Sequence, residues 1–93
     1  MMGISSALIE EITVRDGRIE QANFDTYPLL TIAAAPQVQT ILLEAPDGRP
    51  RGVGEPPIGP IAAAIANAVY DASGARVRQL PITPERVLAA LST

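Results

Sequence analysis

The chain has 93 residues, a net charge of −3 and an apolar fraction of 47%, in which alanine is the commonest residue. It contains no cysteine, histidine or lysine. These absences exclude, within this chain, disulfides, thiolate metal sites, Ser-His-Asp and Cys-His catalytic units and a Schiff-base lysine. Carboxylates are the main acid–base groups that remain. Because bulky core residues are few, we expect this single domain, residues 1–93, to pack normally against more protein.

The charge pattern gives no indication of a nucleic-acid or membrane partner. The seven arginines form no concentrated basic face, and base-stacking aromatic residues are nearly missing. The longest apolar run is far shorter than the ~20 residues that span a bilayer. No signal-peptide pattern opens the chain, so we expect a cytoplasmic location, with the periplasm left open for a larger enzyme.

Two short elements are predicted in the first third of the chain. Apolar residues recur at helical spacing over residues 2–11 and predict a short helix with a polar end at Glu10 and Glu11. Asp16-Gly17 lies between two β-prone runs and predicts a hairpin. The polar stretch that follows has Phe24 as its apolar anchor, and a proline-bracketed loop comes next.

The rest of the chain predicts two strands and two helices. Residues 38–44 and 76–80 have the alternation of short strands, with a proline-rich loop after the first. Residues 58–73 follow the 3.6-residue period and are apolar nearly all round, which is typical of a helix buried on both sides. Gly74 suits the end of this helix. A threonine cap followed by proline and glutamate begins a short C-terminal helix.

The predicted fold class is therefore α+β. It is a small mixed fold with a β hairpin, further short strands, one long alanine-rich helix and short terminal helices.

One motif before the long helix presents a single acid. Its glycines let backbone approach a ligand closely, and its prolines suit a first helical turn. The arrangement suits a catalytic base beside a large cofactor. From spacing alone, the favoured interpretation of the acid is a solvated side chain that stabilises the helix N-terminus, and the glycines can simply form a tight turn. The motif is Gly52-Val53-Gly54-Glu55-Pro56-Pro57.

This motif, with the alanine-rich run at 62–68, resembles the C-terminal end of the molybdenum hydroxylases. That family includes xanthine dehydrogenase, aldehyde oxidoreductases and isoquinoline 1-oxidoreductase. The turn at 16–18, the pair Asn23-Phe24 and the closing stretch 76–84 follow in the family's order. The two prolines after the glutamate look most like the isoquinoline 1-oxidoreductase β-subunit. The resemblance implies that residues 1–93 are a C-terminal piece of a larger molybdopterin-binding domain.

The resemblance also implies a role for each residue of the motif. Glu55 would be the active-site base, taking a proton from a molybdenum-bound hydroxyl. Gly52, Val53 and Gly54 would contact the molybdopterin, in its cytosine dinucleotide form, and no residue here would ligate the metal. Oxygen from water would enter an N-heterocycle or an aldehyde. The electrons would leave through iron–sulfur clusters on a partner subunit or domain.

Two functional classes follow from these observations. In the first, the chain is part of an oxidoreductase and needs the remainder of the molybdopterin-binding subunit and an iron–sulfur subunit. The chain alone would then bind no cofactor and be inactive. In the second, it is an independent small interaction domain without catalytic activity that buries its alanine-rich helix against a partner. A fragment should expose apolar surface and bind a hydrophobic dye, whereas a self-contained monomer should not.

Other polar residues are interpreted as structural. We expect Asn67 to be a buried amide that satisfies a backbone group, and Tyr27 to be half-buried. Arg76 and Arg78 alternate along the second predicted strand and should form a solvated face.

Overall fold

A computed structural model of the chain describes residues 1–92 and confirms the α+β class. In chain order the elements are helix α1 (Met2–Leu8), strands β1 (Val14–Arg15) and β2 (Arg18–Ile19), helix α2 (Ile58–Ser73) and helix α3 (Pro84–Leu91). Long connections without regular structure occupy the remainder. No helix within residues 1–92 is long and apolar enough to cross a membrane.

The hairpin forms where Asp16-Gly17 predicts it. Strands β1 and β2 are antiparallel, with Val14 opposite Ile19. Asp16 and Gly17 have φ values of 49° and 74°, so both central residues lie in the left-handed region. A two-residue turn of this kind matches the twist of its strands, and glycine adopts it without strain. Local turn chemistry therefore accounts for this element.

Helix α2 has the bounds that its periodicity predicts. It ends at Gly74, which has a φ of 77° and donates its N–H to the carbonyl of Tyr70 at 2.7 Å. A left-handed residue at this point satisfies a terminal carbonyl of the helix, and only glycine does so at no steric cost. The expectation of burial on both sides is wrong for the chain alone, because no residue of α2 is buried.

Close contact between α1 and α2 brings the N-terminus of the chain beside the start of the long helix. A Cβ atom on Gly3 would lie 3.2 Å from Cγ1 of Ile61 and 3.5 Å from the Cα of Ile58. Glycine therefore permits this approach. The core behind the contact is small, and its buried apolar side chains are mostly short. They are Ala7, Ala75, Val77 and Ile82.

Helix α3 is attached to the N-terminal region by hydrogen bonds. The Ile82 N–H donates to the carbonyl of Ala7 at 2.7 Å. The Arg86 guanidinium donates to Pro81 O at 2.7 Å and pairs with Glu11 at 2.8 Å. The predicted cap is confirmed, since the Thr83 hydroxyl accepts a hydrogen bond from the backbone N–H of Arg86.

Several predictions made from local pattern are wrong. Residues 38–44 and 76–80 form no strand, because no other part of residues 1–92 supplies a ladder to them. In the second stretch the alternation reflects burial, since Val77 is buried between exposed neighbours. Phe24 anchors nothing and is 77% exposed. Helix α1 also stops at Leu8, short of the predicted end, where the backbone of Ile9 leaves helical geometry.

The chain is less compact than a self-contained domain of its size. Its radius of gyration is 16.5 Å, compared with roughly 12 Å expected for a compact domain of this length. Its accessible surface is 7826 Å², compared with roughly 5,100 Å² for a compact monomer of this mass. About 2,700 Å² of surface therefore remains that a compact chain would bury.

Candidate functional site

The four predicted site residues lie together on an open turn immediately before α2. The carbonyl of Glu55 accepts a hydrogen bond from the N–H of Ile58 at 3.0 Å, and this bond leads the backbone into the helix. Gly52, Val53, Gly54 and Glu55 are all exposed. Within residues 1–92 the Glu55 carboxylate makes no hydrogen bond and no ion pair, so it is free to accept a proton or a donor from outside the chain.

The two glycines of this turn are not required by the chain itself. A Cβ atom on Gly52 or Gly54 would meet nothing within 4 Å. Neither residue has a positive φ; the glycines that do are Gly17, Gly48 and Gly74. Backbone without side chains beside open space suits the close approach of a large group. The turn therefore fits one wall of a cofactor site.

The donor set, in contrast, does not fit the ligand shell of a metal. Among residues 1–92, no three acidic side chains come together where they could hold a metal ion, and the chain has no histidine or cysteine. Glu55 is an acceptor for protons and hydrogen bonds, standing alone on its turn. The described residues therefore supply no protein ligand set for a metal ion.

A shallow apolar cavity adjoins the turn at the junction of α1 and α2. Its volume is about 450 Å³. It opens between the first residues of the chain and the first turn of α2, so the contact made through Gly3 shapes it. Its lining residues are Met1, Met2, Gly3, Gly54, Pro57, Ile58 and Ile61. The turn thus carries a carboxylate and borders a mostly apolar surface.

A second polar cluster lies at the end of α1. The Tyr27 hydroxyl donates to Glu10 Oε2 at 2.8 Å, and the Ser6 hydroxyl donates to the same oxygen at 3.3 Å. Hydrogen bonds from the Ser5 and Tyr27 hydroxyls hold the pKa of Glu10 below its ordinary value. The same contact raises the pKa of Tyr27, because ionising the phenol beside a carboxylate is unfavourable. Tyr27 is half-buried, as predicted.

The substitution Tyr27→Phe should move the pKa of Glu10 upward, towards its ordinary value, because the phenol donor is lost. A lowered folded-state pKa stabilises the fold above the unfolded-state value of about 4.5, and this stability is lost as pH falls through the folded-state pKa. The variant should therefore lose less stability on acidification over that range. NMR titration of the Glu10 carboxyl carbon measures the shift. Tyr70→Phe, which alters the other tyrosine, should leave the titration unchanged, and an unmoved Glu10 in Tyr27→Phe would contradict the assignment.

A third cluster was not apparent in the sequence. The Arg76 guanidinium lies 3.5 Å from the centroid of the Tyr70 ring and donates to Asn67 Oδ1 at 3.2 Å. Asn67 is exposed, so its prediction as a buried amide is wrong. Asn67 and Tyr70 are three positions apart in α2 and lie on the same face of the helix. This cation–π contact holds the segment after Gly74 against the helix and has no ligand-binding geometry.

Known relatives match almost the whole chain. A nicotinate dehydrogenase subunit of Pseudomonas putida is 41% identical over 87 residues, which are 94% of this chain. A putative xanthine dehydrogenase molybdenum-binding subunit of Escherichia coli is 37% identical over 92% of the chain. The β-subunit of isoquinoline 1-oxidoreductase from Brevundimonas diminuta is 36% identical over 90% of it. Over almost its whole length, the chain is therefore similar to subunits of the molybdenum hydroxylase family.

The match covers only a small part of each relative. The chain spans 7%, 12% and 11% of the lengths of the three relatives, in the order given. No protein-family model matches it. The predicted resemblance to the family is confirmed, and the isoquinoline branch is among the relatives. The chain therefore corresponds to a limited segment of much longer subunits.

Proposed function

We propose that this chain is the C-terminal part of a molybdenum-dependent hydroxylase subunit, with Glu55 as its catalytic base. The enzyme would hydroxylate N-heterocycles or aldehydes with oxygen from water. One observation carries the proposal. In a chain that matches molybdenum-binding subunits throughout, the sole carboxylate of an open glycine turn is exposed and unpaired among the described residues. A buried structural acid would instead be held by partners.

Each residue of the turn has a distinct part in this proposal. Bound molybdopterin, in its cytosine dinucleotide form, would supply a centre that activates oxygen and accepts two electrons. Glu55 would accept the proton released by the attacking oxygen, because a carboxylate can act as a general base without histidine. Gly52 and Gly54 would let main-chain N–H groups approach the cofactor, and Val53 would pack against it. The N-terminus of α2 directs its positive dipole end towards the same space.

The rest of the site would come from outside these residues. Since the chain spans only a small part of the relatives' length, the remainder of the molybdenum-binding subunit would retain the cofactor. Iron–sulfur clusters on a partner subunit or domain would carry the electrons away. On this proposal the 93-residue chain alone binds no molybdopterin and has no activity. We place the complete enzyme in the cytoplasm.

The exposed face of α2 supports one alternative function, that of an independent interaction domain without catalytic activity. Such a domain would use the alanine face to bind its partner, but it would leave the open glycine turn and its acid without a role. Replacing Glu55 separates the two. In the complete subunit, Glu55→Gln lowers turnover by about 10²- to 10⁴-fold at unchanged molybdenum content if Glu55 is the base, and it changes nothing measurable if the chain only binds a partner.

A further inference from the structure

Four of the exposed apolar side chains of the chain lie within residues 38–43, a stretch that also contains Gln39 and Thr40 and that we call the apolar segment. Val38, Ile41, Leu42 and Leu43 have exposed fractions of 63%, 75%, 89% and 90%. In an extended chain Val38 and Leu42 project to one face, and Ile41 and Leu43 to the other. A run that is apolar on both faces is typical of a strand covered on both sides.

The backbone of the apolar segment is also unpaired. No backbone N–H or C=O of residues 37–44 bonds to any part of residues 1–92. The nearest backbone hydrogen bonds are those of Ala35 to Ile32 and of Gly48 to Ala45, which lie outside the segment. A row of free donors and acceptors along an apolar, uncharged stretch is a template for β-pairing with another chain.

The amount of exposed surface indicates how much area other protein could cover on this chain. The excess of about 2,700 Å² on this chain alone exceeds the ~800 Å² per partner of a standard interface and falls in the obligate class. The exposed apolar residues are spread over several faces. They include Val14 and Ile19 of the hairpin, Phe24, Ile32 and Tyr70 of α2.

We propose that the apolar segment is a β-strand in the working enzyme, paired with the edge of a sheet in the remainder of the molybdenum-binding subunit. The inference rests on the proposed function, because that function requires a larger polypeptide around this chain. Pairing would hold the connection between α1 and the Gly52–Glu55 turn.

A second copy of the chain is a poorer occupant. A two-fold interface uses one self-complementary patch on each copy. The exposed apolar residues here lie on the hairpin, the apolar segment and α2, so a single patch would leave most of them in water. A surrounding polypeptide covers all of them together.

Hydrogen exchange resolved at single amides tests the strand. In the 93-residue chain, amides 38–43 should exchange at unprotected rates. In the complete subunit, exchange should slow by about a hundredfold or more, as for paired strands. Pairing along one edge should protect alternate amides, either 38, 40 and 42 or 39, 41 and 43. Unprotected amides in the complete subunit overturn the proposal. Concentration-dependent protection in the isolated chain also overturns it, because the occupant is then a second copy.

Matched pairs of variants separate strand pairing from simple burial. Thr40→Pro removes a backbone donor of the even set and Ile41→Pro one of the odd set, whereas Thr40→Val and Ile41→Val keep the donor and β-branching. Protection across the segment should be lost in the proline variant of the set that is protected in the unmodified subunit, and kept in the matching valine variant. If a proline variant prevents assembly of the subunit, the exchange pattern of the unmodified subunit still tests whether the segment is a paired strand.

Failure of the strand and failure of the proposed function give different results. If the segment is unprotected and the Glu55→Gln variant is inactive, only the strand proposal is rejected. If the segment is protected and the Glu55→Gln variant is active, only the assignment of Glu55 as the base is rejected.

Discussion

The Glu55→Gln variant of the complete subunit should lose kcat by about 10²- to 10⁴-fold, the range expected when a positioned general base is removed. Glutamine keeps the length and shape of the side chain but cannot accept the proton. Because the exposed Glu55 side chain makes no hydrogen bond or ion pair within residues 1–92, the substitution should leave folding and cofactor loading unchanged. The measurement is kcat per bound molybdenum, with metal content determined on the same sample. KM should change little, because the effect falls on the chemical step.

The matched control for this prediction is Glu44→Gln. Glu44 is also exposed and makes no hydrogen bond or ion pair with any described residue. It lies outside the glycine turn, so the charge change is the same and only the position differs. Turnover in Glu44→Gln should stay near that of the unmodified enzyme. Equal losses in both variants would mean that net charge, and not a base at Glu55, sets the rate.

The Ile82→Ala variant should destabilise the isolated chain by about 2–4 kcal/mol, the usual cost of deleting most of a buried isoleucine. Ile82 is 5% exposed and is the largest side chain among the four buried apolar residues. Its neighbours are short, so little else can fill the space. A loss of this size is a large share of the stability of a small domain. Urea unfolding followed by helical circular dichroism measures it.

Ile32→Ala provides the comparison, because it removes the same atoms from a side chain that is 98% exposed. Its unfolding midpoint should stay close to that of the unmodified chain, since surface substitutions usually change stability by less than about 0.5 kcal/mol. Indistinguishable midpoints for the two alanine variants would show that the small core contributes nothing in the isolated chain.

Local chemistry explains which elements are predictable from this sequence. Helix α2 has a periodic pattern, a proline-rich start and a glycine end, and each of these signals acts within a few residues. The Asp16-Gly17 turn is equally local. The segment at 38–44 differs, because alternation shows only that a stretch suits a strand, whereas a ladder needs a second strand beside it. Residues 1–92 supply none, so the prediction failed on a non-local requirement.

The same division holds for the sites. Residues 52–55 are adjacent in sequence, so a motif places them together on one turn without knowledge of the fold. The pair Arg86–Glu11 joins residues 75 positions apart, and no sequence pattern connects them. The stacking of Arg76 on Tyr70 depends on the chain reversing at Gly74, which spacing alone does not reveal. Contacts that need tertiary folding were therefore missed, and those within one turn were found.

The most direct measurement is a distance in an experimental structure of the complete, cofactor-loaded subunit. It joins a Glu55 carboxylate oxygen to the nearest polar atom of the molybdenum centre. A base at Glu55 requires hydrogen-bond reach, about 2.6–3.2 Å, directly or through one water. A Glu55 carboxylate enclosed by protein and facing away from the centre, with no path for a proton between them, would contradict the assignment.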